Sequence, residues 1–203
     1  MTYGGKTEVW WLRPYDDPKT GKHFDFTWKA TPNARSYGNG CPYLTGQRVW
    51  PGYNDLESNY PDIAAEWHPT KNGTLFPSEI TYASNKKYWW RLSYDDSELG
   101  HFEFEWEAKA VNRTLLGEGC PFIGNDKAWP GYNDLTSKYP SIAEEWHTTK
   151  NRKRTPDNTV YVSTKKVWWK CSKCGHEWYA SVRGRTLSEI GCPKCREAKK
   201  RYQ

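Results

Sequence analysis

An aromatic pair returns along this chain at a constant step. Val9-Trp10-Trp11, Tyr88-Trp89-Trp90 and Val167-Trp168-Trp169 follow one another at 79-residue intervals. A fixed period is the signature of a modular array and argues against one large core. Each copy continues with a polar turn and a second strand. In the middle copy this strand reads His101-Phe102-Glu103-Phe104-Glu105-Trp106. Apolar residues at every second position place Phe102, Phe104 and Trp106 on one face. Phe24, Phe26 and Trp28 match them in the first copy, and Trp178, Ala180 and Val182 in the third. The two strands and their turn make a β-hairpin.

After each hairpin come an Arg and a Gly-Cys-Pro step: Gly40-Cys41-Pro42, Gly119-Cys120-Pro121 and Gly191-Cys192-Pro193. Gly permits unusual backbone angles and Pro suits the first turn of a helix, so each cysteine is expected where a turn enters a short helix. The first two copies run on through Trp50-Pro51-Gly52-Tyr53-Asn54-Asp55 and Trp129-Pro130-Gly131-Tyr132-Asn133-Asp134. A short helix with Ile63, Ala64 and Trp67, or Ile142, Ala143 and Trp146, is expected next. An extended stretch from Ile80 to Lys87 then leads to the second aromatic pair.

In the third copy the hairpin turn is Cys171-Ser172-Lys173-Cys174-Gly175 and the helix start is Cys192-Pro193-Lys194-Cys195. A two-residue gap lets both sulfurs of a pair meet one ion, and two pairs complete a tetrahedron. The spacing predicts one structural Zn2+ held by Cys171, Cys174, Cys192 and Cys195. In so small a module its apparent binding energy, ~10–16 kcal/mol, is folding energy. A cysteine knuckle in a hairpin plus a cysteine pair at a helix start is the treble-clef arrangement.

The other copies lack this set. Arg13 and Leu92 stand where Cys171 stands, and Leu44 and Ile123 where Cys195 stands, leaving Cys41 and Cys120 alone. Trp169 and Trp178 are 9 residues apart, against 17 for Trp11 and Trp28 and 16 for Trp90 and Trp106. A longer hairpin with Leu or Ile near the vacant site is therefore expected to replace coordination by apolar packing. Cys41 and Cys120 then serve as small buried hydrophobes. His23 or His101 beside a lone cysteine leaves too few ligands for a metal. The expected fold is small α+β, with three tandem treble-clef-like modules, the first two metal-free and the third zinc-bound. The modules span 1–48, 88–127 and 167–203, joined by helix-plus-extended connectors at 49–87 and 128–166.

Mean hydropathy is −1.01 and hydrophobic residues make up 36%, so aliphatic cores must be thin and the 13 tryptophans carry the burial. No apolar run approaches the ~18–20 residues of a membrane span. Residues 1–10 show no basic-then-apolar leader pattern. Close cysteine pairs suit a reducing compartment. These features predict a cytoplasmic, membrane-free and monomeric protein. Net charge is +6. Residues 151–203 hold 14 Lys/Arg against 4 Asp/Glu, net +10, whereas residues 1–150 hold 16 against 20, net −4. Affinity for phosphate is expected in the last module.

These residues resemble the treble-clef, probable zinc-ribbon repeats of bacterial, phage and large-virus proteins. The matching stretches run from Tyr60-Pro61-Asp62-Ile63-Ala64-Ala65-Glu66-Trp67-His68-Pro69 through Ser84-Asn85-Lys86-Lys87. They continue at Val167-Trp168-Trp169-Lys170-Cys171, Gly175-His176-Glu177-Trp178, Arg185-Thr186 and Gly191-Cys192-Pro193-Lys194-Cys195. Some such repeats are fused to endonucleases similar to very-short-patch-repair enzymes. The resemblance implies nucleic-acid binding and, as a setting, a phage-infected host cell.

Glu66-x-His68 and Glu145-x-His147 recur as parts of a helix end, and no further catalytic group joins them or His176, so no enzyme is expected. The expected function is binding of the phosphate backbone, of DNA rather than RNA. Lys165, Lys166, Lys170, Lys173, His176, Arg183, Arg185, Lys194 and Arg196 are the contacts. Arg185 also recurs as Arg113 and, in looser register, as Arg35, which suits a brace within the fold. The alternative is a protein-interaction module, for instance a phage-encoded inhibitor or accessory subunit docking on a basic nucleic-acid enzyme. It would use Asp95, Asp96, Glu98, Glu103, Glu105 and Glu107.

Overall fold

The computed structural model describes residues 5–200. Residues 1–4 of the expected first module and 201–203 of the third lie outside the described residues. Among the described residues there are three separate two-stranded sheets: β1 (Val9–Asp16) with β2 (His23–Ala30), β3 (Lys87–Asp96) with β4 (Gly100–Lys109), and β5 (Lys166–Lys170) with β6 (Glu177–Ser181). In the first hairpin Trp11 faces Trp28 and Tyr15 faces Phe24; in the third, Trp169 faces Trp178. The period-2 pattern holds: Phe24 and Phe26 stack 5.7 Å apart on one face, as do Phe102 and Phe104. Val182 departs from it. It opens a helix, because Ser181 ends the strand and its hydroxyl caps the backbone N–H of Gly184.

A one-turn helix follows each hairpin: α1 (Pro32–Ser36), α4 (Ala110–Thr114) and α7 (Val182–Thr186). The connectors hold α2 (Leu56–Asn59) and α3 (Pro61–Ala65), then α5 (Leu135–Lys138) and α6 (Pro140–Ala143); α8 (Pro193–Lys200) ends the chain. The Trp-Pro-Gly-Tyr-Asn-Asp motif explains why such short helices persist. The Asp55 carboxylate is wholly buried and accepts from Ser58 N at 2.8 Å, capping α2, and from Gly52 N at 2.6 Å. Asp134 does the same for Ser137 N and Gly131 N. Gly52, at φ 84°, supplies the left-handed turn that brings its N–H to the carboxylate. Buried Asn54 closes the loop: its Nδ2 donates to the carbonyls of Tyr43 and Arg48 at 2.9 Å each, and its Oδ1 accepts from Trp50 N. Asn133 repeats these bonds with Phe122, Lys127 and Trp129.

Three expected details differ. Trp67 and Trp146 lie just beyond α3 and α6 rather than within them. They pair in isolated bridges with Trp90 and Trp169, so the following strand outcompetes further helix. The stretch from Ile80 to Lys87 is not continuously extended; a 3-10 turn (Pro77–Glu79) leads into a single bridge between Thr81 and Asp55. Only Cys192 enters a helix. After Cys41 and Cys120 the chain folds back, with Arg48 N bonded to Pro42 O at 3.0 Å and Asp126 N to Pro121 O at 2.8 Å.

The chain divides into two compact units: unit 1 is Met1–Leu92 with Glu105–Glu118, and unit 2 is Ser93–Phe104 with Gly119–Gln203. Within unit 1, Phe26, Trp28 and Cys41 are buried, with Tyr43, Leu44, Trp50 and Tyr53 packed on them. Within unit 2, Trp146, Val167, Trp169 and Trp178 form a core that includes Cys171 and Cys192. No helix of the described residues is long and apolar enough to cross a membrane.

Candidate metal centre

The third hairpin is short because its turn is a knuckle. Cys171 N donates to His176 O at 2.9 Å and Gly175 N to Cys171 O at 3.0 Å, which turns the thiols of Cys171 and Cys174 the same way. The first turn of α8 presents Cys192 and Cys195, with Arg196 N on Cys192 O at 3.0 Å. The four sulfurs lie within 4.8 Å of one another. Cys171–Cys195, Cys174–Cys192 and Cys174–Cys195 are 3.8, 3.7 and 3.4 Å apart. A tetrahedron with Zn–S bonds of about 2.3 Å has edges of about 3.8 Å, so the arrangement fits this ion closely. Among the described residues no other group of His, Cys, Asp or Glu converges this way. The donor chemistry agrees. Backbone N–H groups, first that of Cys174, hold the Cys171 thiol down to about 7. Hydrogen bonding with Cys174 and then Cys171 pushes Cys195 up to about 12. Crowded sulfurs cannot all ionise without a cation between them. The four cysteines form a possible metal site consistent with zinc.

A carboxylate steadies the knuckle. Glu145 Oε1 accepts from Ser172 N at 3.1 Å and Oγ at 2.8 Å, while its Oε2 accepts from Arg185 Nη2 at 2.5 Å. Burial would raise this carboxyl, but Arg185 and Ser172 outweigh it and hold it below the ordinary value. The Arg185 guanidinium sits between the rings of Trp169 and Trp178, at 4.8 and 4.9 Å. In unit 1 the same brace is built from Glu66, Arg113, Trp90 and Trp106. A second conserved geometry lies nearby. Glu177 meets His147 at 3.1 Å and Lys150, and Glu105 meets His68 at 3.0 Å and Lys71. The Lys ion pairs, before the His contacts, hold both carboxyls below the usual range. Glu66, His68, Glu145 and His147 are thus engaged in holding the fold. The recurrence of Arg185 as Arg113 points to a brace in the sequence but not to its partners, although Glu66 and Glu145 repeat at the same step.

The positions without a cysteine set are filled by rings. Around Phe26 stand Tyr15, Phe24, Tyr43, Trp50 and Tyr53, with centroids 5.0–5.8 Å away. Around Phe104 stand Tyr94, Phe102, Phe122, Trp129 and Tyr132, at 5.1–6.0 Å. His176 occupies the matching place in the third hairpin, two residues before Trp178. The expectation of Leu or Ile filling needs correction. Leu44 does pack on the first cluster, but Ile123 is 37% exposed and Phe122 beside it is buried. An aromatic ring fills the volume that a shorter aliphatic chain leaves open. His23 and His101 turn both ring nitrogens to carboxylates, Asp16 and Asp25 or Asp95 and Glu103.

Among the expected phosphate contacts, Lys165, Lys166, Lys170, Lys173, Arg183, Lys194 and Arg196 are exposed. His176 is half-buried and stacked on Trp178. Arg185 corrects the expectation: it is 7% exposed and spent on Glu145, so it braces the fold and offers no charge to solvent. Of the acidic residues, Asp95 and Glu103 are bonded to His101, and Glu105 to His68 and Lys71. Asp96 accepts from the backbone N–H of Glu98 and Leu99. Glu98 and Glu107 remain on the surface.

A family model described as probable treble clef zinc finger domain matches residues 63–122 and 142–198. Each matched stretch begins in the helix before a hairpin and runs past its Gly-Cys-Pro step, so it contains a whole Glu–Arg brace. No curated protein matches the chain. The match spans more than half of the sequence, and the chain belongs to the probable treble clef zinc finger domain family.

Proposed function

We propose that this is a non-enzymatic nucleic-acid-binding protein that grips phosphate through its third module, which one structural Zn2+ holds folded. The two earlier copies are metal-free versions of the same module, in which an aromatic cluster takes the place of coordination. The observation that carries this reading is the set of seven exposed cations from Lys165 to Arg196 around the cysteine cluster. Long basic side chains displayed on a small metal-stapled scaffold suit the charge and spacing of a phosphate backbone. The ion itself would hold the knuckle against α8 and perform no chemistry, since all four coordination positions are filled by cysteine. The acidic surface supports a protein-docking role less well, because most of its carboxylates already have partners within the fold.

Binding of the full chain to labelled duplex DNA, single-stranded DNA and RNA across a salt series tests the reading. Five phosphate contacts would make log K fall by about 4–5 per tenfold rise in salt on a duplex. Absence of binding to all three near physiological salt would overturn it.

A further inference from the structure

Arg152 is held in a backbone conformation that an L side chain resists, at φ 54°. One repeat earlier the matching residue is Gly73, at φ 66°. The equivalence is structural: Trp146 Nε1 donates to Arg154 O, and Trp67 Nε1 to Leu75 O, two residues beyond each position. Asn151 bonds both the N–H and C=O of Trp168, as Asn72 does those of Trp89. The same loop therefore reads Gly73-Thr74-Leu75 in unit 1 and Arg152-Lys153-Arg154 in unit 2. Glycine takes the left-handed turn freely and arginine does not. A strained residue kept where glycine would serve points to a use for its side chain.

That side chain borders a groove. Arg152, Lys153, Arg154 and Lys166 line a cleft of about 700 Å3 together with Trp168 and Tyr179. The four cations are exposed, and none is in an ion pair among the described residues. No carboxylate is among the residues that line the cleft. Tyr179 is 55% exposed, and its ring lies 5.4 Å from that of Trp168. Lys150 covers Trp168 at 4.5 Å and is neutralised by Glu177, which leaves Tyr179 as the open ring. The residue in unit 1 that corresponds to Tyr179 is Glu107, so the ring is missing there together with three of the four cations; Lys87 alone matches Lys166.

We propose that this groove binds a single strand of nucleic acid, with Tyr179 stacking on an unpaired base and Arg152, Lys153, Arg154 and Lys166 on the flanking phosphates. The proposal rests on the nucleic-acid reading above and adds to it the strand state and the residues. An exposed ring among unpaired cations matches bases whose faces are free; in a duplex those faces are already stacked. None of the lining side chains sets up a pattern for one base, so the contact is expected to be sequence-tolerant.

The test uses the full zinc-loaded chain with oligo-dT, oligo-U and a DNA duplex of equal length, and the variants Tyr179→Ala and Arg152→Gly. Both variants are expected to keep the metal. Tyr179→Ala weakens binding of both single strands by roughly five- to a hundredfold while duplex binding is unchanged. Arg152→Gly weakens single-strand binding without lowering the thermal midpoint, because it restores the residue the turn prefers. If oligo-dT and oligo-U bind the variants as tightly as the parent chain, the groove is not the site, and the broader reading stands on its duplex binding. If none of the three nucleic acids binds the parent chain, both fail.

Discussion

The regions around Cys41 and Cys192 begin from the same Gly-Cys-Pro step and build different clusters, one of rings and one of sulfurs. At Cys192 the turn leads into α8 and adds two sulfurs to a cluster of four. At Cys41 the chain folds back and places Tyr43 and Leu44 on Phe26, in a cluster of six rings. A metal concentrates stabilisation in one ion and needs only a five-residue knuckle. Rings spread it over a large area, and that area needs longer strands to carry them. This is why β1 and β2 run 8 residues each while β5 and β6 run 5. What the regions share is an arginine held between two Trp rings, Arg35 between Trp11 and Trp28 and Arg185 between Trp169 and Trp178; among the described residues, the carboxylate partner that completes the brace appears only in the second and third hairpins.

The largest expected effect breaks the comparison at the metal. Chelation, or Cys174→Ser, should remove up to ~10–16 kcal/mol of apparent stabilisation from the third module. Hydrogen exchange should then show Lys166–Lys200 losing protection while β1 and β2 keep theirs; equal loss in both would show that the two regions do not differ in metal dependence. Next comes the shared brace. Arg113→Ala and Arg185→Ala each leave a part-buried carboxylate, Glu66 or Glu145, unpaired and empty the space between two Trp rings, and should cost about 3–5 kcal/mol in urea unfolding, one in each unit. A large effect from only one of them would mean the brace is not common ground. Phe26→Ala removes the centre of the ring cluster and should cost about 3–5 kcal/mol with metal content unchanged. Asn54→Ala leaves buried carbonyls and an N–H without partners, for about 1–3 kcal/mol.

The smallest effect concerns the hairpin tips. His101 is raised above its ordinary value, near 6.5, by its hydrogen bond to Asp95 and then by that to Glu103. Raised on folding, it adds stability that is complete below about pH 6.5 and fades as pH climbs through the folded value. An NMR titration should place that value above 6.5, and His101→Gln should abolish this part of the pH dependence. His23 should behave alike, through Asp16 and then Asp25. In the third hairpin the histidine that follows the turn, His176, stacks on Trp178 instead.

Much of this was legible in the residues because it repeats. The 79-residue step, the Phe24-Phe26 and Phe102-Phe104 alternation, and the two Cys-x-x-Cys pairs each reflect a local rule: period-2 strands, or the reach of two thiols to one ion. The ring clusters were less legible. Tyr53 meets Phe26 from a loop 27 positions on, and a connector motif does not announce that its tyrosine enters the core. For Arg185 the recurrence suits a brace, but nothing local separates it from the surface cations around it or marks its partner Glu145, 40 positions away. Ile123 read as filler because hydrophobicity alone does not say which of two adjacent residues turns inward, and the fold-back after Pro121 chose Phe122. The strain at Arg152 is a backbone property, visible only once the turn is seen beside Gly73.

Native mass spectrometry of the full chain, with and without Cys174→Ser, counts the ions that the three modules hold. One zinc ion per parent chain is expected, and weaker retention of it in the variant. Two or three ions per chain would contradict the account, because metal would then be doing in the first two modules what the rings are held to do.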